Sequence, residues 1–199
     1  MITCPTSIAI DDMPFQEYLK LEGYSHSFLK YQKNGIVEPK EVTANMQIGT
    51  LVDGILCEPE TVNMQHELYA PAKAIAYELQ KKHGNLIKAF KKQVSYTATM
   101  QYNGFQLPVK GRLDFMLEKF AVIDLKVTWS KNAKGLINYM GYNNQLYGYC
   151  NMAGLSKGYI LIYSVPTKEV NLIEIPVSGS NQFWENAIMS FGTTIQTSH

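Results

Sequence analysis

Two aspartates and a lysine lie close together in the segment 111–128, GRLDFMLEKFAVIDLKVT. If this segment forms two antiparallel strands with a tight turn centred on Lys119, Asp114 falls directly opposite Asp124. Opposed residues of such a pair have Cβ atoms about 4.5–5.5 Å apart. Two carboxylates at that distance repel each other, and a divalent cation between them removes the repulsion. The spacing therefore predicts a site for Mg²⁺ or Mn²⁺, which both prefer hard oxygen ligands.

Lys126 belongs to the same predicted polar face, because side chains alternate between the two faces of a strand. The register also places Arg112 opposite Lys126. A lysine beside a metal site can orient or deprotonate a water molecule, or stabilise an oxyanion. The alternative is a solvated hairpin face on which Asp124 and Lys126 form an ordinary ion pair. Asp-x-Lys alone is common by chance, so the chemical hypothesis depends on the register.

Alternation gives this hairpin one polar and one apolar face. The predicted polar face consists of Lys110, Arg112, Asp114, Asp124, Lys126 and Thr128. The predicted apolar face consists of Val109, Leu113, Phe115, Leu117, Ala121, Ile123, Leu125, Val127 and Trp129. Upstream, Asn103-Gly104 predicts a two-residue hairpin turn. Pairing across that turn adds Tyr96, Ala98 and Met100 to the apolar face.

Composition limits the classes of protein to consider. The chain has 199 residues, of which 46% are hydrophobic, enough for a single domain with a proper core. Its net charge of +1 does not indicate a polyanion partner for the whole surface, so any nucleic-acid contact must be local. Three cysteines without a CxxC pair indicate free thiols in a reducing compartment. The chain shows no membrane span and no signal peptide, and the expected location is the cytoplasm.

The order of elements predicts an α/β fold over 1–199, with a central mixed β-sheet flanked by helices. The expected segments are an irregular lead-in (1–24) with a short helix near Phe15–Leu21, helices at 25–34, 42–58 and 72–93, strands from 94 to 129, a helix from Ser130 or Asn132 to Ala153, strands at 157–165 and 169–177, and a C-terminal helix at 178–196. The core is expected at about 42–177.

Two helices carry further polar candidates. Asp53 lies between Gly49 and Gly54, which each cost about 1 kcal/mol of helix propensity relative to alanine and therefore suggest close packing. The alternative for Asp53 is an exposed helix charge. Gln145 and Tyr149 are four residues apart and share one helix face. The alternative for that face is an amphipathic helix whose phenols are polar tips on a packed surface.

Three motifs occur in order on these elements: Gly111-Arg-x-Asp114, Asp124-x-Lys126 and Gln145-x-x-x-Tyr149. They resemble the PD-(D/E)XK nuclease superfamily, and within it the exonuclease branch of RecB-type nucleases, lambda exonuclease and the RecE (exodeoxyribonuclease VIII) nuclease domain. The likeness to RecE extends upstream to Ser25-x-Ser27-x-Leu29-Lys30 and Ile48-Gly-Thr-x-x-Asp53-x-x-Leu56-x-Glu58-Pro59. The resemblance covers about 25–166 and implies a restriction-endonuclease-like core.

The resemblance also implies roles for single residues. Asp53, Asp114, Asp124 and the Leu125 carbonyl would bind one or two Mg²⁺ or Mn²⁺ ions. The catalytic residues would be Asp114, Asp124, Lys126, Gln145 and Tyr149, and the DNA contacts Arg112, Gln145, Tyr149, Ser25 and Ser27. Two positions depart from the family: Asp53 stands where histidine is usual, and Asp124 where glutamate is more frequent. These departures make the site more anionic and shift the expected position of the ion.

The activity implied by the resemblance is hydrolysis of phosphodiester bonds in linear double-stranded DNA, 5′ to 3′, in phage or prophage recombination. A ring-shaped homo-oligomer and a single-strand annealing recombinase are the partners that the family implies. One alternative is an endonuclease or a RecB-like nuclease module. The other is a catalytically inactive DNA-binding relative, which the aspartate at position 53 favours.

Overall fold

The computed structural model describes residues 1–33, 41–117, 120–177 and 179–195, with Lys33 described by its backbone alone. The strands are β1 (Thr3–Ile10), β2 (Lys91–Tyr102), β3 (Phe105–Leu117), β4 (Ala121–Thr128), β5 (Lys157–Ser164), β6 (Glu169–Pro176) and β7 (Thr193–Thr194). The helices are α1 (Phe15–Lys20), α2 (His26–Lys33), α3 (Ala44–Cys57), α4 (Tyr69–Ala89), α5 (Leu136–Tyr139), α6 (Tyr142–Ala153) and α7 (Gln182–Phe191), with a 3₁₀ turn at Pro59–Thr61.

In the described ranges these strands form one seven-stranded mixed sheet. Its order is β1-β2-β3-β4-β5-β6, and the short β7 pairs with β3. Strands β4 and β5 are parallel, and every other pair is antiparallel. A parallel pair needs a crossover connection, which α5 and α6 supply here. The predicted fold class, a mixed α/β sheet flanked by helices, is confirmed.

The two predicted hairpin registers are confirmed. Asn103 and Gly104 have φ of 49° and 78°, and β2 pairs with β3 from Tyr102↔Phe105 to Lys91↔Met116. Positive φ at both turn positions is the requirement of a type I′ turn. Strands β3 and β4 pair as expected from a turn at Lys119, although residues 118 and 119 themselves lie outside the described ranges. That ladder ends at Phe115↔Ile123, so Asp114 and Asp124 are not ladder partners, and neither are Arg112 and Lys126.

The prediction of a single apolar face is wrong, because the sheet has a hydrophobic core on both sides. One core, covered by α6 and α7, contains Val109, Leu113 and Met116, whereas the other, under α3 and α4, contains Phe115 and Leu125. The side-chain alternation of β3 therefore changes face between Leu113 and Phe115. The neighbouring strand changes face at the same level, where the ladder is interrupted between Lys92↔Phe115 and Val94↔Leu113.

Gln93 supplies the backbone geometry for this switch. Its φ of 51° is in the left-handed region, which a residue with a side chain seldom adopts within a strand. Gln93 and Asp114 stand opposite each other at the interrupted position. The result is that two polar side chains leave the regular alternation together, at the point where the sheet changes from one core to the other.

Several element boundaries differ from the sequence prediction. Strand β1 lies inside the segment 1–24, which is predicted to be irregular, so the sheet begins at residue 3 and not at the predicted first strand near 94, and the folded core begins before residue 42. It is an edge strand with mostly exposed side chains, which removes the apolar alternation that would reveal it. The single helix expected up to Ala153 is two helices separated at Gly141, whose φ is 72°. The C-terminal helix spans Gln182–Phe191, inside the expected 178–196.

Other predictions are confirmed. Helix α3 begins after Thr43, whose Oγ1 accepts a hydrogen bond from the Met46 N–H at 3.3 Å, and it ends before Pro59. Cys4, Cys57 and Cys150 are free thiols. None of the helices in the described ranges combines the length and the apolar character needed to cross a membrane.

Candidate active site

The site is built where β3 and β4 diverge. The β3–β4 ladder ends at the pair Phe115↔Ile123, and Asp114 is the residue of β3 just before Phe115. Its Oδ2 accepts a hydrogen bond from the Leu125 N–H of β4 at 2.7 Å. The divergence would otherwise leave that N–H without a strand partner, and a buried unpaired N–H is costly. The Asp114 carboxylate therefore replaces a strand-to-strand bond and is fixed against β4.

Asp124 and Lys126 occupy one side of β4 just beyond this point. Asp124 is 1% exposed, and its Oδ2 lies 2.6 Å from the Lys126 Nζ. The pair is an ion pair by distance, but Oδ2 has no hydrogen bond of good geometry within the described part of the chain. Lys126 Nζ also lies 5.2 Å from the centre of the Tyr142 ring. The predicted ion pair exists, but it is buried beside Asp114 and not on a solvated face.

Asp53 reaches the same centre from α3. Its Oδ2 accepts a hydrogen bond from Gln93 Nε2 at 2.8 Å, and its Oδ1 accepts one from the Cys57 thiol at 3.4 Å. Asp53 is thus a bonded, partly buried group and not an exposed helix charge. A Cβ at Gly54 would lie 2.8 Å from a Val62 methyl, whereas one at Gly49 would meet nothing within 4 Å. The close packing expected at these glycines is found at Gly54 alone.

The three carboxylates and the lysine form one electrostatic unit. Burial raises the pKa of Asp114 well above its ordinary value, and the charges of Asp53 and Asp124 raise it further. Burial also raises the pKa values of Asp124 and Asp53, against the opposing charge of Lys126. Burial alone would lower the pKa of Lys126, but Asp124 and Asp114 outweigh it, so this pKa is raised. One ammonium group faces three carboxyl groups, so full ionisation would leave surplus negative charge, and the raised pKa values of the carboxyl groups express that cost.

Arg112 has a different environment from the one predicted. Its side chain is nearly buried, and it donates to Gln93 Oε1 at 2.6 Å, the Met13 carbonyl at 2.7 Å and Glu58 Oε1 at 2.5 Å. The guanidinium is bonded to three groups within the protein, and this arrangement does not fit the predicted contact with a DNA phosphate. Arg112 instead ties the end of α3 to β2, and through Gln93 it fixes Asp53.

Gln145 and Tyr149 share a face of α6 as predicted. Gln145 Nε2 donates to the Tyr149 hydroxyl at 2.8 Å. Burial raises the pKa of Tyr149 well above its ordinary value, and the charges of Asp124 and Asp114 add to this, so the phenol stays neutral. A Cβ at Gly111 would lie 2.8 Å from the Tyr149 ring, so the glycine allows α6 to approach β3.

The two serines of α2 differ. Ser25 Oγ accepts a hydrogen bond from the Phe28 N–H at 3.2 Å and caps the helix. Ser27 is exposed and lines a cleft of about 720 Å³ together with Lys126 and Asp53. A second cleft of about 450 Å³ contains Asp114 and Tyr149. The two clefts share Thr50 and Asp53, so Asp53 lies where they meet, whereas Asp114 lines the second cleft alone.

Sequence reasoning missed three side chains of this site. Gln93 joins Asp53 to Arg112, Glu58 balances Arg112, and Cys57 binds Asp53 and the Asp114 carbonyl. Gln93 was assigned to the end of a helix, and nothing in its local sequence indicates a strand residue with positive φ. Glu58 belongs to the motif that also contains Asp53. The sequence therefore marks Glu58 as a residue of interest, but it does not predict what its side chain does.

The donor set can be tested against the predicted metal. In the described ranges, no three His, Cys, Asp or Glu side chains converge closely enough to hold a metal ion by themselves. Asp53 is bonded to Gln93 and Cys57, and Asp124 is held by Lys126. The chemistry nevertheless fits Mg²⁺ or Mn²⁺, because the donors are hard oxygens with surplus negative charge. Binding an ion there would require Asp53 to exchange a hydrogen bond for a metal contact.

Comparisons with known proteins bear on the fold. No protein-family model matches the chain, and no curated protein matches it. Among solved structures, the chain is similar to the "Putative exonuclease" of Eubacterium rectale, with a TM-score of 0.51 and 18% identity over 86% of this chain and 71% of that one. The phage related exonuclease of Haemophilus somnus 129PT gives a TM-score of 0.38 and 15% identity over 86% of this chain and 91% of that one. The similarity to the Eubacterium rectale structure supports the fold, a mixed α/β sheet flanked by helices.

Proposed function

We propose that this protein is a metal-dependent deoxyribonuclease that hydrolyses phosphodiester bonds with Mg²⁺ or Mn²⁺. The observation that carries the proposal is the gathering of Asp114, Asp124 and Lys126 at the fork of β3 and β4. Three carboxylates beside one ammonium group suit a divalent cation better than they suit each other. The structural similarity to a protein named as an exonuclease supports the same class of reaction.

The ion would be held by Asp53, Asp114, Asp124 and the Leu125 carbonyl. When bound, it would supply positive charge that polarises a phosphodiester and lowers the pKa of a water molecule. Lys126 keeps its proton because Asp124 and Asp114 raise its pKa. It therefore acts as a hydrogen-bond donor that orients a water molecule or stabilises developing negative charge, and not as a base in the protein alone.

Tyr149 and Gln145 complete this side of the cleft. The Tyr149 oxygen already accepts from Gln145, so its own proton is left for a carboxylate or a phosphate oxygen. Gln145 fixes the phenol, and the neutral phenol adds no negative charge to an already anionic centre. These two residues would position Lys126 and the DNA strand, with Ser27 and the helix capped by Ser25 at the edge of the neighbouring cleft.

The finer features of the proposal rest on the resemblance of the motifs to the RecE and lambda exonuclease branch. These features are exonuclease action on linear double-stranded DNA, 5′ to 3′ polarity, and a role in phage or prophage recombination in the cytoplasm of the host cell. A ring-shaped homo-oligomer and a single-strand annealing recombinase would be its partners. A RecB-like module or an endonuclease would use the same residues, and the substrate test below separates these cases.

The decisive experiment compares linear and circular duplex DNA with Mg²⁺ or Mn²⁺. An exonuclease degrades the linear form to short products and spares the covalently closed circle, whereas an endonuclease cuts both. We expect Lys126→Ala to lower the rate about 10²–10³-fold, as loss of one positioned donor does elsewhere. Lys157→Ala is the matched control and should keep the wild-type rate, because Lys157 is the exposed first residue of β5 and lies before the Val122↔Gly158 pair, away from Asp124 and Lys126. Equal digestion by wild type and Lys126→Ala would remove Lys126 from the mechanism.

A second candidate is a DNA-binding relative without catalysis. It is favoured by the aspartate at position 53 and by the hydrogen bonds that occupy both oxygens of that residue. Titration calorimetry with Mn²⁺ separates the two candidates. If the protein is a nuclease, the wild type should bind Mn²⁺ and Asp114→Ala should not. If neither the wild type nor Asp114→Ala gives a heat signal, the result supports the inactive relative.

A further inference from the structure

An aromatic ring stands open at the edge of the candidate active site. Phe15, the first residue of α1, is 51% exposed and lines the cleft of about 450 Å³ that also contains Asp114 and Tyr149. Exposed single apolar residues are common on protein surfaces. A phenylalanine that lines the same cleft as partly buried carboxylates is different, because a ligand bound in the cleft can contact its ring.

The ring is held in place by the protein. The Arg112 guanidinium carbon lies 5.7 Å from the ring centre, and the Tyr18 ring is stacked at 6.1 Å with an interplanar angle of 24°. Arg112 is itself fixed by its bonds to Gln93, the Met13 carbonyl and Glu58. Tyr18 is buried. The orientation of the Phe15 ring is therefore set before a ligand arrives, and binding to it costs little ordering of side chains.

The shape of the cleft limits what can use this ring. A volume of about 450 Å³ is within the range of pockets for small ligands and admits a nucleotide-sized group but not a duplex. A flat aromatic surface is the usual platform for unpaired bases, and stacking tolerates any base because each has a π-face. Asp114 and Tyr149 line the same cleft and are less exposed than Phe15, so a strand with a base on the ring would have polar groups available for its backbone.

We infer that Phe15 is a stacking platform for an unpaired nucleobase next to the phosphodiester at the acidic residues. This inference rests on the proposed nuclease function and adds its substrate form, since the strand must be unpaired at the cleft. Phe15 touches the substrate and not the reacting atoms, so its removal should weaken binding of the strand more than it slows the bond-breaking step.

The chain offers a matched control. Phe120 is 52% exposed and has a cation beside its ring, with Lys157 Nζ 5.4 Å from the ring centre. It therefore equals Phe15 in exposure and in its contact with a positive charge. Phe120 does not line either of the clefts that meet at Asp53. A general effect of removing an exposed aromatic should appear in both variants, and a stacking effect in Phe15 variants alone.

The test uses a short DNA duplex with an unpaired single-stranded end that carries 2-aminopurine, whose fluorescence falls when it stacks. Calcium replaces Mg²⁺ in the binding assays to slow turnover. We expect wild type and Phe120→Ala to quench the probe, and Phe15→Ala to bind about tenfold more weakly with the quench lost. Phe15→Leu keeps apolar bulk without a stacking face and should behave as Phe15→Ala does. Phe15→Trp should restore the quench.

Steady-state digestion with Mg²⁺ gives a second readout. KM should rise about tenfold in Phe15→Ala while kcat changes little. Quenching by Phe15→Leu at the wild-type level would overturn the inference while leaving the nuclease proposal intact, provided that wild type digests DNA. A wild-type protein that neither binds the probe nor digests DNA would overturn the function itself. A changed mass of Phe15→Ala by light scattering, with the quench retained, would assign the ring to a subunit contact and also overturn the inference.

Discussion

Two groups of charged residues touch at Asp53, and they differ in how their charges are balanced. The balanced network consists of Glu58, Gln93 and Arg112, in which one guanidinium meets one carboxylate and two neutral acceptors. The acidic centre consists of Asp53, Asp114, Asp124 and Lys126, in which three carboxylates share one ammonium group. Both groups are largely removed from water, and they are joined by the hydrogen bond from Gln93 to Asp53.

Under the proposed function, the difference separates a structural group from the group that would bind the cation. A buried charge is costly unless it is paired and hydrogen-bonded, and the balanced network meets that condition without any ligand. The acidic centre does not meet it, since the pKa of each of its three carboxylates is raised by burial. We infer that the balanced network holds α3 and β2 in place, and that the acidic centre is the group that would bind a cation. Four predictions test this division.

The largest expected effect concerns the balanced network. Arg112→Met should lower the free energy of unfolding by about 3–5 kcal/mol, because it leaves Glu58 and Gln93 without their buried partner. Glu58 is 33% exposed, which favours the lower end of this range. Urea unfolding measures the change. Lys20→Met is the control, since Lys20 is 71% exposed in its pair with Glu17 and should cost less than about 1 kcal/mol. Similar losses in both variants would mean that Arg112 is an ordinary surface charge.

The second prediction concerns ligand binding by the acidic centre. Mn²⁺ at 100 times its dissociation constant should stabilise the wild-type protein by about 2.7 kcal/mol, and this gain should vanish in Asp114→Ala. Thermal unfolding with and without Mn²⁺ measures it. Arg112→Met should still gain stability from Mn²⁺ if its residual fold is intact, because it removes no carboxylate. Equal stabilisation of Asp114→Ala and wild type would place the Mn²⁺ site elsewhere.

The sequence predicts much of the frame that holds these groups. Asn103-Gly104 fixes the β2–β3 register because the turn needs two residues with positive φ. Pro59 marks the end of α3 by its missing N–H. The spacing of Asp114, Asp124 and Lys126 then brings them to the point where two paired strands diverge. These are local signals, which a single sequence contains.

The remainder of the site depends on tertiary structure. Strict alternation would put Leu113 and Phe115 on one face of the sheet. The two strands change face at Gln93 and Asp114 instead, and no local sequence pattern predicts the left-handed backbone of Gln93. The sequence predicts Arg112 in the cleft because it lies two residues before Asp114, on the same face of a regular strand. Its burial depends on Met13 and Glu58, which come from distant parts of the chain. Charge balance is a property of the assembled fold.

The third prediction uses a buried group that is neither paired nor functional. His26 packs against Phe183 and Trp184, and burial, with the charges of Lys30 and Lys126, lowers its pKa from 6.5 to about 3. Above pH 6.5 the imidazole is neutral in both folded and unfolded chains. Below pH 6.5 the unfolded chain binds a proton that the folded chain refuses, so stability falls by about 1.4 kcal/mol per pH unit down to about pH 3.

His26→Phe should remove that contribution, because an apolar ring suits the aromatic neighbours and does not titrate. Urea unfolding at pH 7.5 and pH 5.5 should therefore show a loss on acidification that is smaller in the variant by about 1.4 kcal/mol. An unchanged pH dependence would show that the imidazole is solvated in the folded protein. This measurement separates the cost of protonating an unpaired buried imidazole from the cost of burying several carboxylates together.

The smallest expected effect has the opposite sign from most substitutions. Asp114→Asn keeps an oxygen for the Leu125 N–H but removes one of three like charges, so without a divalent cation it should stabilise the fold by about 1 kcal/mol. The same substitution should abolish the gain from Mn²⁺ and the nuclease activity. Glu58→Gln, in the balanced network, should instead lower stability, because Arg112 loses its counter-charge. Urea unfolding in EDTA compares the two. If both substitutions destabilise the protein equally, the acidic centre has no surplus charge, and the division between a structural and a functional group does not hold.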